Sequence, residues 1–345
     1  MARRPEDFNS PFNAFPTETI VMILKDLLDD ARPALRRLKI ILPERGTRLG
    51  ASIAINCPSL RWLHVSGTQV SCETPFQELA TLELHGLYSR ASEVEWSTLC
   101  GPILTLCPAV EFVSITFSGD FAITGPKYAL PRVKTLSLHS GESTRSMLPY
   151  QSLLDRLDLP NLEKLRIKIL QPESLSNILR ALPNSVSHLH ILSVAKSDFV
   201  NLPRKVVESL LSGSNNMNLM PGLTCLGCFI SALTPKVKLG QQEVRELTTQ
   251  PEFTDLEKGL TTLLGERKLI RINLPVTSQA FIELGGQHNV KVKVRRTAWS
   301  EDNDLDVFAS SCPIFQWWWD NKGRGIARVS IRCMKTSQVE SPKIG

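Results

Sequence analysis

Lys164, Arg166 and Lys168 stand at alternate positions of Lys-Leu-Arg-Ile-Lys, and His188 and His190 repeat that alternation in His-Leu-His. In an extended strand, alternation sends every second side chain to the same face. Three cations on one face form a row able to receive an acidic or phosphorylated segment through charge-assisted hydrogen bonds. Other chemistry-bearing residues give weaker patterns. Cys225-Leu226-Gly227-Cys228 has the spacing of half a zinc or redox motif. In a strand, however, its two sulfurs face opposite sides, and no second Cys or His pair follows at ligand spacing. His85 and His139 recur without a nucleophile or paired carboxylate at recognisable spacing. There is no Gly-rich phosphate loop, no G-x-S-x-G elbow and no H-E-x-x-H. No catalytic residue, metal ligand or cofactor is therefore assigned, and the chain reads as non-catalytic.

The elements that would position these residues are repeats. Leu-x-x-Leu-x-Leu, or its Val/Ile equivalent, occurs nine times, beginning at Leu35, Leu60, Leu79, Val110, Val133, Leu162, Val186, Leu223 and Leu269. Pro33, Pro58, Pro108, Pro131, Pro160 and Pro221 each lie two residues ahead of an anchor. The first six spacings scatter around the 20–29 residues of leucine-rich repeats, and the last two are longer. Each copy reads as a short strand. Between strands the periodicity turns helical, as in 172–180, Pro203–Leu211, Phe253–Leu264 and Ser278–Leu284, with Gly213, Gly265 and Gly285 as expected C-caps.

Strand alternating with helix through parallel connections predicts an α/β fold. The expected form is a right-handed leucine-rich-repeat solenoid, with parallel strands on the concave face, helices on the convex face and a short N-terminal helix. Four regions follow: an N-terminal helix in 1–32, irregular repeats over 33–286, a C-terminal cap or degenerate repeat over 287–334, and a disordered tail from 335 to 345. The concave face would carry the residues two, four and six places after each anchor. That places Trp62 and His64, then Phe112, then Lys164, Arg166 and Lys168, then His188 and His190 on one surface. Trp62 and Phe112 fall two strands apart, roughly 9–10 Å at ordinary strand spacing, close enough for an apolar hot spot.

Composition narrows the function classes. A 345-residue chain with 42% hydrophobic and 21% charged residues can bury a large core. A net charge of +6 suits an acidic partner but falls short of a dedicated nucleic-acid binder. Neither a secretory h-region nor a membrane-spanning stretch is visible, so the eight cysteines are expected as reduced thiols in the cytoplasm or nucleus.

The degenerate, proline-led repeats resemble the leucine-rich-repeat part of F-box proteins, particularly the divergent type abundant in fungi, over about 33–284. Ahead of them, Phe15-Pro16-Thr17-Glu18 begins a hydrophobic stretch that is similar to the opening helix of an F-box, where Leu-Pro-x-Glu stands. Pro16, Ile20, Ile23, Leu24 and Leu27 fall on matching positions. An F-box normally continues through two more short helices with a Val-Cys-x-x-Trp-like stretch, whereas this chain passes from Asp29-Asp30 directly to Leu35. The F-box is truncated, or only its first helix survives as a cap on the repeats. The resemblance implies a substrate-recognition subunit of an SCF-type (cullin-RING) ubiquitin ligase. Pro16, Ile20, Ile23, Leu24 and Leu27 would bind a Skp-type adaptor, and the concave face would bind a protein substrate. The alternatives are a repeat scaffold without adaptor docking and an α/β enzyme with an unrecognised site.

Overall fold

In a computed structural model, the described residues are 36–41, 52–66, 69–72, 74–88, 93–95, 101–118, 121–140, 148–169, 175–193, 198–211, 219–230, 241–275, 278–294, 316–319 and 325–328. Each repeat supplies one strand of a ten-stranded sheet, and every neighbouring pair is parallel. The strands are β1 (Arg37–Ile41), β2 (Trp62–Ser66), β3 (Thr81–Tyr88), β4 (Phe112–Ser118) and β5 (Thr135–Ser140). They continue as β6 (Lys164–Ile169), β7 (His188–Ser193), β8 (Cys225–Ile230), β9 (Arg271–Leu274) and β10 (Lys291–Val294). Their order across the sheet is their order along the chain. The sequence predicts nine of them. The tenth, Lys-Val-Lys-Val, pairs residue for residue with β9 at the sheet's end, where alternating lysines suit an edge.

The turn before each strand explains the recurring proline. The anchor's N–H donates to the carbonyl three residues back: Leu60 to Cys57 (3.1 Å), Val110 to Cys107 (3.2 Å), Val133 to Leu130 (3.2 Å), Leu162 to Leu159 (3.2 Å) and Leu223 to Met220 (3.1 Å). Pro58, Pro108, Pro131, Pro160 and Pro221 thus occupy the second position of a four-residue turn. There the ring presets φ, and the missing N–H costs no bond. The accepting residue is itself apolar and buried at Cys57, Cys107, Leu130, Leu159 and Met220. The residue after each anchor adds a second recurring bond. The carbonyl of Arg36 accepts from Arg61 and Trp62 (2.9 and 3.1 Å), Arg61 from Ala80 and Thr81 (3.0 and 3.1 Å), and Glu163 from Ser187 and His188 (both 2.9 Å).

The longest connections lie between β7 and β9. The early ones carry two- and three-residue strands that pair with one another, Ser52–Ala54 with Gln69–Ser71, Glu93–Glu95 with Ala122–Thr124, and Tyr128–Ala129 with Leu157–Asp158. The later ones carry most of the helices: α1 (Gly101–Thr105), α2 (Leu148–Leu154), α3 (Leu175–Arg180), α4 (Asp198–Leu211), α5 (Gln241–Thr248), α6 (Pro251–Glu266) and α7 (Gln279–Gln287). Ser278 caps α7 by accepting from the Phe281 N–H (3.2 Å). Two expected C-caps are not caps. Gly265 lies inside α6, which ends at Arg267, and Gly285 lies inside α7. At Gly285 a Cβ would meet Val292 Cγ2 at 2.5 Å and the Val290 carbonyl at 2.8 Å, so glycine serves the close approach of helix and strand.

One apolar core joins the inward side chains of the sheet to these connections. It takes Leu136, Leu138, Leu165, Ile167, Leu189 and Ile191 from the central strands, and Leu175, Ile178, Val206, Leu210, Leu256 and Phe281 from the helices. Every first anchor from Leu60 to Leu269 is buried, while Leu35 lies outside the described residues. Gln316–Trp319 pairs antiparallel with Gly325–Arg328 in a separate two-stranded ladder that lies against β1. Among the described residues, no helix is long and apolar enough to cross a membrane, and none of Cys57, Cys72, Cys107, Cys225 and Cys228 is in a disulfide.

Candidate functional site

The sheet's outer face is built by strand register. One row runs Arg37, Trp62, Thr81, Phe112, Thr135, Lys164, His188, Cys225, Arg271 and Lys291. The next runs Lys39, His64, Glu83, Ser114, Ser137, Arg166, His190, Gly227, Asn273 and Lys293. Ser114, Ser137 and Asn273 are buried although they face outward, because short side chains sit beneath longer neighbours.

The basic residues assemble as the alternation predicts. Lys164 and Arg166 pair in register with His188 and His190, and Lys168 with Leu192. Lys164 is exposed, while Arg166 and Lys168 are half-buried. The two histidines diverge. His188 Nδ1 lies 2.8 Å from the Ser187 hydroxyl. His190 Nε2 lies 3.7 Å from Cys225 Sγ, and its ring meets the edge of Phe229 at 5.4 Å between centroids. Gly227 makes room for that packing, since a Cβ there would come within 2.5 Å of the Phe229 ring. Cys225 and Cys228 fall on opposite sides, as the strand reading requires. Complete burial pushes the Cys228 thiol up to about 12, which keeps it an inert thiol.

Trp62 and Phe112 are two strands apart, with Thr81 between them in register. Trp62 engages a polar cluster. Its indole N–H donates to Glu83 Oε1 (3.1 Å), and its ring stacks on His64 at 5.9 Å. His64 Nδ1 lies 2.7 Å from Glu83 Oε2, and the His64 and His85 rings stack at 4.5 Å. Burial drives the His64 imidazole well below its ordinary range, so it stays neutral and donates its N–H to the carboxylate. Burial alone would raise the Glu83 carboxyl, but the hydrogen bond from His64 and the nearby His85 imidazole override this and hold it well below the usual carboxylate range. Sequence reading placed His64, Glu83 and His85 on this face, four places after Leu60 and four and six after Leu79, but did not join them into a cluster. Glu83 is 19 residues from His64 in the chain, and only the register of β2 and β3 makes them neighbours.

His139 closes the cluster on β5, with Nε2 2.9 Å from the Ser137 hydroxyl and its ring 6.5 Å from that of His85. Burial lowers it to about 4, helped by the positive charges of His85, Lys168 and Arg166 and opposed by Glu83. The unfolded chain therefore takes up a proton near pH 6.5 that the native fold resists until about 4. Stability should fall on acidification through that window. We expect urea unfolding at pH 5 to show a loss on the order of 1–2 kcal/mol from this residue relative to pH 7.5; His139→Asn should remove that share and leave the comparable loss from His64.

Pro16, Ile20, Ile23, Leu24 and Leu27 lie outside the described residues. No protein-family model matches the chain, and no curated protein matches it. The F-box resemblance thus rests on the residues of 15–28 and on the repeats themselves.

Proposed function

We propose that the chain is a non-catalytic recognition subunit, a leucine-rich-repeat solenoid whose concave face binds an acidic protein segment. The supporting observation is the row register: ten parallel strands in chain order hold their outer side chains in continuous lines, with Lys164, Arg166 and Lys168 on a single strand. Burial of outward Ser114, Ser137 and Asn273 supports this reading, because a concave sheet face would crowd its short side chains. A rigid sheet presents such a row at no ordering cost, which favours specific binding over diffuse attraction. By the resemblance of 15–28 to an F-box helix, the subunit docks a Skp-type adaptor through Pro16, Ile20, Ile23, Leu24 and Leu27 and delivers its partner to an SCF-type ubiquitin ligase. This reading places the chain in the cytoplasm or nucleus.

A fluorescence-anisotropy titration with phosphorylated and Glu-rich peptides tests the basic row. The Lys164→Ala/Arg166→Ala/Lys168→Ala variant should weaken binding by about 100-fold or more, since each charge-assisted hydrogen bond contributes about 1.5–3 kcal/mol. Affinity should fall with added salt. Full affinity in the triple variant would remove the basic row from the binding surface.

A further inference from the structure

We propose that His64, Glu83 and His85 form a binding site for a first-row transition-metal ion, with Zn2+ the best-suited occupant. The three offer an imidazole nitrogen, a carboxylate oxygen and a second imidazole nitrogen, all within 4.8 Å of one another. Two imidazoles with one carboxylate favour Zn2+, Cu2+ or Ni2+ over Mg2+ and Ca2+, which prefer all-oxygen shells. Three protein ligands leave a fourth position of tetrahedral zinc open to water or to a partner's carboxylate.

The two donor distances to Glu83 lie close to what zinc needs. His64 Nδ1 is 2.7 Å and His85 Nε2 is 3.7 Å from Glu83 Oε2. Bonds of about 2.0–2.1 Å in a tetrahedron set ligand atoms about 3.3 Å apart. One separation must open, and the other close, by a few tenths of an ångström, which side-chain rotation supplies.

Three further observations point the donors at a shared ion. His85 Nε2 is buried and lacks a hydrogen-bond partner, because 3.7 Å from the carboxylate is too long for one. The far atoms of two ligands are anchored: Trp62 donates to Glu83 Oε1, leaving Oε2 to the histidines, and Thr116 Oγ1 sits 3.0 Å from His85 Nδ1, leaving Nε2 inward. Such outer contacts fix tautomer and ring orientation in metal centres. A bulge between Leu84 and Leu87 follows Glu83 directly, and bulges re-aim the side chains beside them. Linear spacing hides the set, so the sequence reading assigned no metal.

Lys39, the register partner of His64 on β1, competes. Its ammonium is partly desolvated and attracted to Glu83, so removing it should strengthen cation binding.

The test uses the full chain, stripped with a chelator and titrated with Zn2+ by calorimetry and with Co2+ by visible spectroscopy. The expected result is one ion bound through nitrogen and oxygen, without the near-ultraviolet band of thiolate coordination. Glu83→Gln and His85→Gln should each weaken it at least about 100-fold, Trp62→Phe about 10-fold, and His288→Asn not at all. Lys39→Met should tighten it. Circular dichroism of the stripped proteins separates lost ligation from lost folding. His85→Gln is the variant to rely on should Glu83→Gln not fold, because His85 is the more exposed of the two side chains. Unchanged Zn2+ affinity in His85→Gln, or Co2+ bound only through thiolates, would overturn the site.

Discussion

Replacing Arg267 by leucine should destabilise the fold by about 3 kcal/mol or more, among the largest losses for a residue that is not in the apolar core. Its Nη1 donates to the carbonyls of Leu219 (2.5 Å) and Met220 (3.0 Å), and its Nη2 to that of Leu210 (3.0 Å). Those carbonyls belong to the end of α4 and to the turn that feeds β8, while Arg267 itself closes α6. One guanidinium therefore ties two helix ends to a strand. Met220 is held with φ at 52°, an unfavourable left-handed conformation for a residue with a side chain, and the Arg267 bond helps to keep it there. Leucine fills similar space and abandons all three carbonyls. Lysine restores the charge without the fork and should recover only part of the loss. Urea unfolding of the three proteins decides it: a leucine variant within about 0.5 kcal/mol of the parent would show that water replaces the guanidinium at little cost.

The second large effect separates the two faces of the sheet within one dipeptide. Leu136 is 0% exposed in the central strand β5 and should cost about 2–5 kcal/mol when cut to alanine, through lost transfer energy and the cavity left behind. Thr135, its neighbour on the outer row between Phe112 and Lys164, should change stability by no more than about 0.5 kcal/mol as alanine. Equal effects at the two sites would mean that the register is wrong by one residue, because a one-residue slip exchanges the faces. Denaturant midpoints of the two single variants measure it.

Much of this was legible in the sequence, for a physical reason. The repeat Leu-x-x-Leu-x-Leu fixes a strand and its buried side together, so the outward positions of Trp62, Phe112, Lys164, Arg166 and Lys168 followed from counting by twos. Interactions across strands were not legible. The Trp62–Glu83–His64 cluster depends on which strands lie adjacent and on the bulge after Leu84, neither of which is encoded in local spacing. The glycines show the limit of local signals from the other side. Gly265 and Gly285 look like helix stops, yet both helices run past them, and at Gly285 the close approach of Val290 and Val292 is what requires glycine. Proline was visible as a mark but not as a mechanism until the turn beneath it, with its buried residue one position earlier, was seen.

Docking of a Skp-type adaptor is the most direct test of the proposal that this surface belongs to a ubiquitin-ligase receptor. The full chain, co-expressed with a Skp-type adaptor and purified by size exclusion, should elute as an equimolar complex. Ile23→Asp with Leu27→Asp should abolish that complex by placing charges on the proposed adaptor-docking residues, while the Lys164/Arg166/Lys168 triple alanine should leave it intact. An adaptor that fails to co-elute with the unaltered chain, or that binds the Ile23→Asp/Leu27→Asp variant equally well, would contradict the ligase reading.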